Sequence, residues 1–286
     1  MGGSGSTAQA EKQEFDEPWR ETPWENKELL ENNLRELKLS DPRVKHIRIL
    51  LTGAIGAGKS SFINSVNSVF QKRITTEALA NSGSADRSFT KTYRTYYIRD
   101  GQSVLPFVFN DTMGLASGES QGADQEDIVK CLEGHLKEGH NFNPVMSAKN
   151  EDCRSKPSIE DQTHCIVYVI AADTVSMMND DVFNKMRYIR KKASDLEIPQ
   201  VIVMTKVDEA CRLVKKDLRK IYTSKKIKEK MQMCSKLVGV PMNYIFPVNY
   251  HEEIKTKDDI DVLILSALTQ IVQIADDLLN RRKPEK

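Results

Sequence analysis

The chain has few cysteines and no pattern among them. Its five, Cys131, Cys153, Cys165, Cys211 and Cys234, are odd in number and none stand at C-x-x-C spacing. No disulfide framework is therefore expected, and a reduced intracellular compartment fits best. An excess of one charge is missing too. The 42 Lys and Arg against 41 Asp and Glu leave a formal net charge of +1, which argues against a dedicated nucleic-acid binder. No apolar run approaches the ~18 residues of a membrane-spanning helix. Met1 to Gln13 is small and polar, without the apolar segment of a signal peptide. No internal repeat is visible. What remains is a chain of 286 residues, long enough to bury a sizeable core as one large or two small domains.

Against that plain background one stretch stands out. Gly53-Ala54-Ile55-Gly56-Ala57-Gly58-Lys59-Ser60 fits G-x-x-x-x-G-K-[ST]. It follows an apolar run, Val44 to Leu51, that reads as a buried strand. It precedes Lys59 to Phe70, where Phe62, Val66, Val69 and Phe70 recur at helical spacing. The glycines let the backbone fold round an anion with several N–H groups pointing inward. The helix N-terminus adds the positive end of its dipole. Lys59 reaches the outer phosphates, the Ser60 hydroxyl suits Mg²⁺, and Ser61 completes the phosphate-facing edge.

Two further motifs close apolar runs. Asp111-Thr112-Met113-Gly114 follows Leu105 to Phe109, placing a carboxylate for Mg²⁺ and a glycine amide, that of Gly114, to sense a terminal phosphate. Thr205-Lys206-Val207-Asp208 follows Val201 to Met204. A carboxylate at Asp208 accepts two hydrogen bonds from the N1–H and amine of guanine. Adenine lacks that donor pair and would leave the acid unpartnered. The Lys206 stem suits the purine face. Asn249, in Pro247-Val248-Asn249-Tyr250, takes the next place by position alone, in a loop whose backbone amide would approach the guanine carbonyl. Thr90 is chosen, over Thr75, Thr76 and Thr92, as the threonine that closes on Mg²⁺ and the terminal phosphate. Ser266-Ala267 lies in an apolar helical stretch and reads as core packing.

The remaining pattern is αβ alternation. Thr92 to Arg99 and Val104 to Asn110 read as strands around Asp100-Gly101, a hairpin signal. Further strands are expected at His164 to Ile170, Gln200 to Met204 and Tyr244 to Val248. Helices are expected at 24 to 39, Asp181 to Ser194, about Glu209 to Leu237, and Asp259 to Leu279. The fold class is α/β, with a mostly parallel six-stranded central sheet, one antiparallel hairpin edge and helices on both faces. Residues 1–23 read as a disordered leader, in part an introduced linker. Gly2 and Ser6 satisfy a myristoylation pattern, against which the linker-like glycines and serines argue. Residues 24–42 carry an amphipathic helix packing on the main domain, 43–280 form that domain, and 281–286 are a tail. Thr75 to Ser88 reads as a mobile loop. The stretch 115–163 is long for a connection; Asp124 to Lys137 suits a helix, and His140 to Asp161 reads as irregular. Lys215, Lys216, Arg219, Lys220, Lys225, Lys226, Lys228 and Lys230 make a basic region. A solvated face, interrupted by Asp217 and Glu229, explains it better than docking to anionic lipid or an acidic partner, and Arg187, Arg190, Lys191 and Lys192 read the same way.

These motifs, in this order, resemble the guanine-nucleotide-binding G domain of the P-loop GTPases. Residues 58–66, 111–115, 205–208 and 261–268 further resemble the interferon-induced protein 44 and 44-like family, over roughly 25 to 280. The resemblance implies a cytoplasmic, GTP- or GDP-binding protein with Mg²⁺, linked to innate antiviral defence. Its partners would be the nucleotide and a homodimer mate or protein effector. Full-length members often carry a further N-terminal domain. Thr205 stands where the guanine motif usually has Asn, and Leu115 where small GTPases of the Ras type carry a water-orienting Gln. A switch or slow GTPase is the leading expectation, with His135 and His140 weighed as sources of a missing group. A nucleotide-binding scaffold with little hydrolysis is the alternative. An ATPase or nucleotide kinase is disfavoured by the hairpin and by Thr205 to Asp208.

Overall fold

The computed structural model describes residues 13–78, 90–118, 121–251 and 256–283. The expectations for Gly2, Ser6, residues 79–89 of the loop before the hairpin and residues 284–286 of the tail lie outside them. The chain runs α1 (Lys27–Arg35), β1 (Ile47–Gly53), α2 (Lys59–Gln71), β2 (Arg94–Asp100), β3 (Ser103–Asp111), α3 (Gln125–Glu133) and β4 (Cys165–Ala171). It continues with α4 (Asp180–Asp195), β5 (Gln200–Thr205), α5 (Val207–Ala210), α6 (Arg212–Lys216), α7 (Lys225–Val238), β6 (Ile245–Pro247) and α8 (Asp258–Arg281).

The six strands form one sheet in the order β2-β3-β1-β4-β5-β6. β3, β1, β4, β5 and β6 are mutually parallel, and only β2 runs antiparallel, joined to β3 through the expected Gly101 turn. Every residue of β4 is buried, as a central strand requires when both faces of a parallel sheet are covered. α2 packs on α8, which carries α1, while α3, α4 and α7 form a second layer. All parallel strands therefore deliver their C-terminal ends to one rim, where ligands of open α/β sheets bind. This is the α/β architecture, a mostly parallel six-stranded sheet with one antiparallel edge strand, expected of the motif order.

α8 corrects one expectation. Among the described helices it alone is long and apolar enough, by length and composition, to cross a membrane; 61% of its apolar window is buried within the fold. It packs on α1, α2, β1, β4 and β6, and the buried Ile264, Leu268, Ile271 and Val272 belong to the central core. Ala267 is buried in it, as the core-packing reading of that stretch requires.

The charged region after β5 is not one helix. It breaks at Cys211 and at Asp217, which caps a 3₁₀ turn at Leu218–Tyr222, and restarts at Ser224, whose hydroxyl caps α7. Helical periodicity survives such breaks because each piece still turns an apolar side to the same core. α1 is shorter than expected, and its Leu29 is exposed while Leu34 is buried. Part of the segment read as a disordered leader packs down. Phe15 N–H donates to the Thr223 carbonyl, and Trp19 meets Tyr222 edge to face. Lys228 lies over both the Phe15 and Trp19 rings. Two aromatics in a polar stretch were the anchors.

His164, fully buried at the start of β4, joins the insertion to the sheet. Its Nδ1 accepts the Arg48 N–H at 2.9 Å, and its Nε2 lies 2.9 Å from the Ile159 carbonyl. The neutral ring satisfies both partners; a protonated Nδ1 would confront an N–H. Burial accordingly lowers its pKa to about 4. Because the unfolded chain binds the proton more readily, this stabilisation is complete above pH ~6.5 and is lost as pH falls from there through about 4. His164→Asn keeps an acceptor for the Arg48 N–H without a titrating ring. Between about pH 7 and pH 5 the wild type is expected to lose roughly 2 kcal/mol more than His164→Asn in urea unfolding; equal losses would contradict this account.

Candidate functional site

β1 ends at Gly53, where a Cβ would stand 2.2 Å from the Val169 carbonyl oxygen of β4. Only glycine lets the loop leave the sheet at that point. The loop turns into α2 at Gly58, whose φ of 94° is the left-handed conformation that favours glycine. No side chain caps α2, whereas α3, α4 and α7 are capped by Asp124, Asn179 and Ser224. The N–H groups of Lys59, Ser60 and Ser61, in the first turn, have no intrahelical partner by helix geometry. Lys59 is 7% exposed and its Nζ donates to the Gly53 and Ala54 carbonyls at 3.3 and 3.2 Å, arching back over the loop.

Beside it, β3 brings Asp111, also buried. The Ser60 hydroxyl donates to Asp111 Oδ2 at 2.9 Å and the Thr90 hydroxyl to the same oxygen at 3.1 Å; the two hydroxyls are 3.4 Å apart. Asp111 Oδ1 is buried and makes no hydrogen bond among the described residues. Burial lowers the Lys59 pKa and raises that of Asp111, and each charge partly offsets the shift in the other. Two hydroxyls and one carboxylate, of which one oxygen is unpaired, make a hard oxygen donor set that fits Mg²⁺. Of the rival threonines, Thr75 donates its N–H to the Ser68 hydroxyl and its own hydroxyl to the Asn64 carbonyl, and Thr92 donates to Asn141.

Across the buried β4, the third motif is tied to the first. The Thr205 hydroxyl donates to the Ala57 carbonyl at 2.7 Å, with both residues buried. Lys206 follows with φ 54°, a strained conformation for a lysine, and this turn starts α5 with Asp208 in its first turn. Asp208 and Asn249 wall a common cleft of about 460 Å³ with Val214, Lys216, Tyr250 and Ile260; residues 53–60 contribute none of its walls.

Gly114 and Leu115 sit directly on the phosphate-type loop. Leu115 N–H donates to the Gly53 carbonyl at 2.9 Å, and Ile55 N–H donates to the Leu115 carbonyl at 3.1 Å. Lys185 of α4 holds the continuation, donating to the Ala116 and Gly118 carbonyls. His135 lies 2.8 Å from the Arg154 carbonyl, and His140 stands between Asp127 and Asp152, so both serve the insertion's own packing. Sequence reasoning gave no role to Tyr250 or to Lys185. An aromatic two residues beyond a strand end, and one lysine in a charged helix, carried no spacing signal.

No family model matches the chain. Human interferon-induced protein 44 is 36% identical over 260 residues, 88% of this chain and 58% of that protein. Human interferon-induced protein 44-like is 32% identical over 260 residues, 89% and 57%. The mouse protein 44 is 33% identical over 251 residues, 86% and 58%. The chain thus spans somewhat more than half the length of these relatives. Among solved structures, a probable GTP-binding protein, engB, aligns with TM-score 0.45 at 11% identity, over 80% of this chain and 99% of that one. A GTP-binding protein of Sulfolobus solfataricus, solved with GDP, aligns with TM-score 0.39 at 13% identity, over 81% and 53%.

Thr205→Val removes the donor while keeping the shape, leaving the Ala57 carbonyl buried and unpaired. The expected loss is about 1–3 kcal/mol in urea unfolding. An unchanged unfolding midpoint would mean that the bond contributes nothing.

Proposed function

This chain is a relative of interferon-induced protein 44 and its 44-like counterpart, and on that footing we propose that it is a cytoplasmic guanine-nucleotide-binding switch or slow GTPase of interferon-induced antiviral defence. The observation that carries the binding reading is the pair of buried, desolvated groups at the start of α2. Lys59 on one side and Asp111 with Ser60 and Thr90 on the other suit a polyphosphate and its Mg²⁺ respectively. When bound, Mg²⁺ would neutralise phosphate charge beside Asp111. Lys59, with the backbone of residues 54–58 and the α2 N-terminus, would hold the phosphates. Asp208 would accept the paired donors of guanine, Lys206 would flank the base, and Asn249 would border it. Thr205 supports the arrangement by fixing the base-reading turn to the loop at Ala57.

The GTP and GDP forms would differ at Thr90 and at Gly114 and Leu115, the elements nearest the terminal phosphate. Leu115 is 1% exposed, and its backbone is paired to Gly53 and Ile55. It has no group with which to orient water, so hydrolysis by the isolated chain should be slow. That same observation favours a second reading, a nucleotide-dependent interaction scaffold with little or no turnover.

Competition titration of GTP against ATP in magnesium buffer tests the first reading. The wild type should prefer GTP, and Asp208→Asn should lose roughly 10- to 100-fold in GTP affinity, the scale of one or two hydrogen bonds to a charged acceptor. Equal affinity for GTP and ATP in the wild type would overturn guanine recognition. Phosphate release that rises per mole of protein with protein concentration would exclude the scaffold and point to stimulation by a second copy.

A further inference from the structure

A nucleotide held at Lys59 and Asp208 must pass between the cleft and the loop, and one side chain touches both. Tyr250 walls the cleft beside Asp208 and Asn249. Its hydroxyl donates to the Gly58 carbonyl at 2.9 Å. Its ring lies so close to Gly58 that a Cβ there would stand 2.8 Å from Tyr250 Cε2. Gly58 is thus bare both for its φ and for the ring. Residues 53–60 supply no wall of the cleft, and the Tyr250 ring stands against both the cleft and Gly58.

The backbone of the same residue is engaged as well. Tyr250 N–H donates to the Asn249 side-chain oxygen at 2.9 Å, so this loop amide is turned to its neighbour rather than to a ligand. The next residue is fixed. His251 Nε2 lies 2.8 Å from Asp261 Oδ1, its Nδ1 accepts the Lys257 N–H at 3.2 Å, and Lys27 of α1 reaches Asp261 Oδ2 at 2.6 Å. Asp261 is fully buried. The loop therefore has an anchored hinge at His251 and a side chain ahead of it held by one hydroxyl bond and its ring contacts.

We propose that Tyr250 is the gate and positioning residue of the nucleotide site: seated on Gly58, it closes the passage from cleft to loop that the phosphate chain of a purine nucleoside di- or triphosphate takes, and such a ligand turns it outward. The inference rests on the guanine-nucleotide reading above. Turning Tyr250 outward breaks the bond to Gly58 and joins cleft to loop. The closed population lowers apparent affinity only for ligands that span both halves. A nucleoside without phosphates, which occupies the cleft alone, does not need the passage.

The test is calorimetric titration of the full chain with GDP, GTP and guanosine in magnesium buffer, for the wild type, Tyr250→Phe and Tyr250→Ala. Thermal melting checks that each variant is folded, and Tyr250→Phe keeps the ring volume should Tyr250→Ala fail to fold. Tyr250→Ala is expected to raise the affinity for GDP and GTP, measured relative to that for guanosine, at least about fivefold over the wild type. Tyr250→Phe, which loses only the hydroxyl bond, is expected to fall between. Nucleotide bound by the wild type but no tighter, relative to guanosine, by either variant would overturn the gate alone. Absence of GDP and GTP binding in all three proteins would overturn the reading of the site, and the gate with it.

Discussion

Burial of a lysine and an aspartate in one rim of the sheet is the constraint on which the rest of the structure rests. Each ion costs several kcal/mol to desolvate, and neither is covered by a simple ion pair. Lys59 turns its ammonium to two carbonyls of its own loop, and Asp111 turns one oxygen to two hydroxyls. Carbonyls and hydroxyls are modest partners for full charges, so burial still drives both groups toward their neutral forms. A fold that tolerates this needs rigid surroundings. The parallel register of β1 with β3 supplies them, setting Leu51 opposite Asp111 two residues before the loop begins.

The same rim explains why motifs far apart in sequence act together. β1, β3, β5 and β6 run parallel, so Gly53, Asp111, Thr205 and Asn249 all emerge on one side although nearly two hundred residues separate the first from the last. β4 contributes no motif, yet it lies between β1 and β5 and holds both. The Val169 carbonyl excludes any side chain at Gly53, and the Thr205 bond to Ala57 crosses over it. Thr205 makes with a short hydroxyl a contact that ties the turn at Lys206 to the loop at Ala57. Lys206, immediately after, takes the left-handed conformation.

Much of this was legible in the sequence because it is enforced by main-chain geometry. The glycine spacing, the Asp100-Gly101 turn and the apolar runs before each motif leave little choice of element or order. The convergence of Ser60, Thr90 and Asp111 followed from types and positions alone. What escaped were features with a side chain as their cause. The leader's Phe15 and Trp19 look like isolated aromatics until Lys228 and Tyr222 lie beneath them. The breaks at Cys211 and Asp217 are hidden because the apolar side stays in phase. Tyr250 is invisible for a different reason. Its partner, Gly58, is 192 residues away and already explained by its own motif.

The segment after Asp111 bears most directly on the proposed switch. In it, backbone pairing of Leu115 with Gly53 and Ile55 welds the sensor segment to the loop, and Lys185 secures the next turn from α4. On the proposed reading, a terminal phosphate approaching that loop would compete for the Ile55 N–H, which serves the Leu115 carbonyl. Loading would therefore be felt first as a loosening of 114–118, and α4 would feel it through a single lysine. A buried leucine at the hinge favours two discrete packings over a gradual shift, because apolar side chains in a dense core exchange partners rather than stretch. On the proposed reading, that favours a switch read out by shape over one built for turnover. It also gives the insertion a place in the response, since α3 packs on α4 and its first turn is bonded through Glu126 to Tyr188.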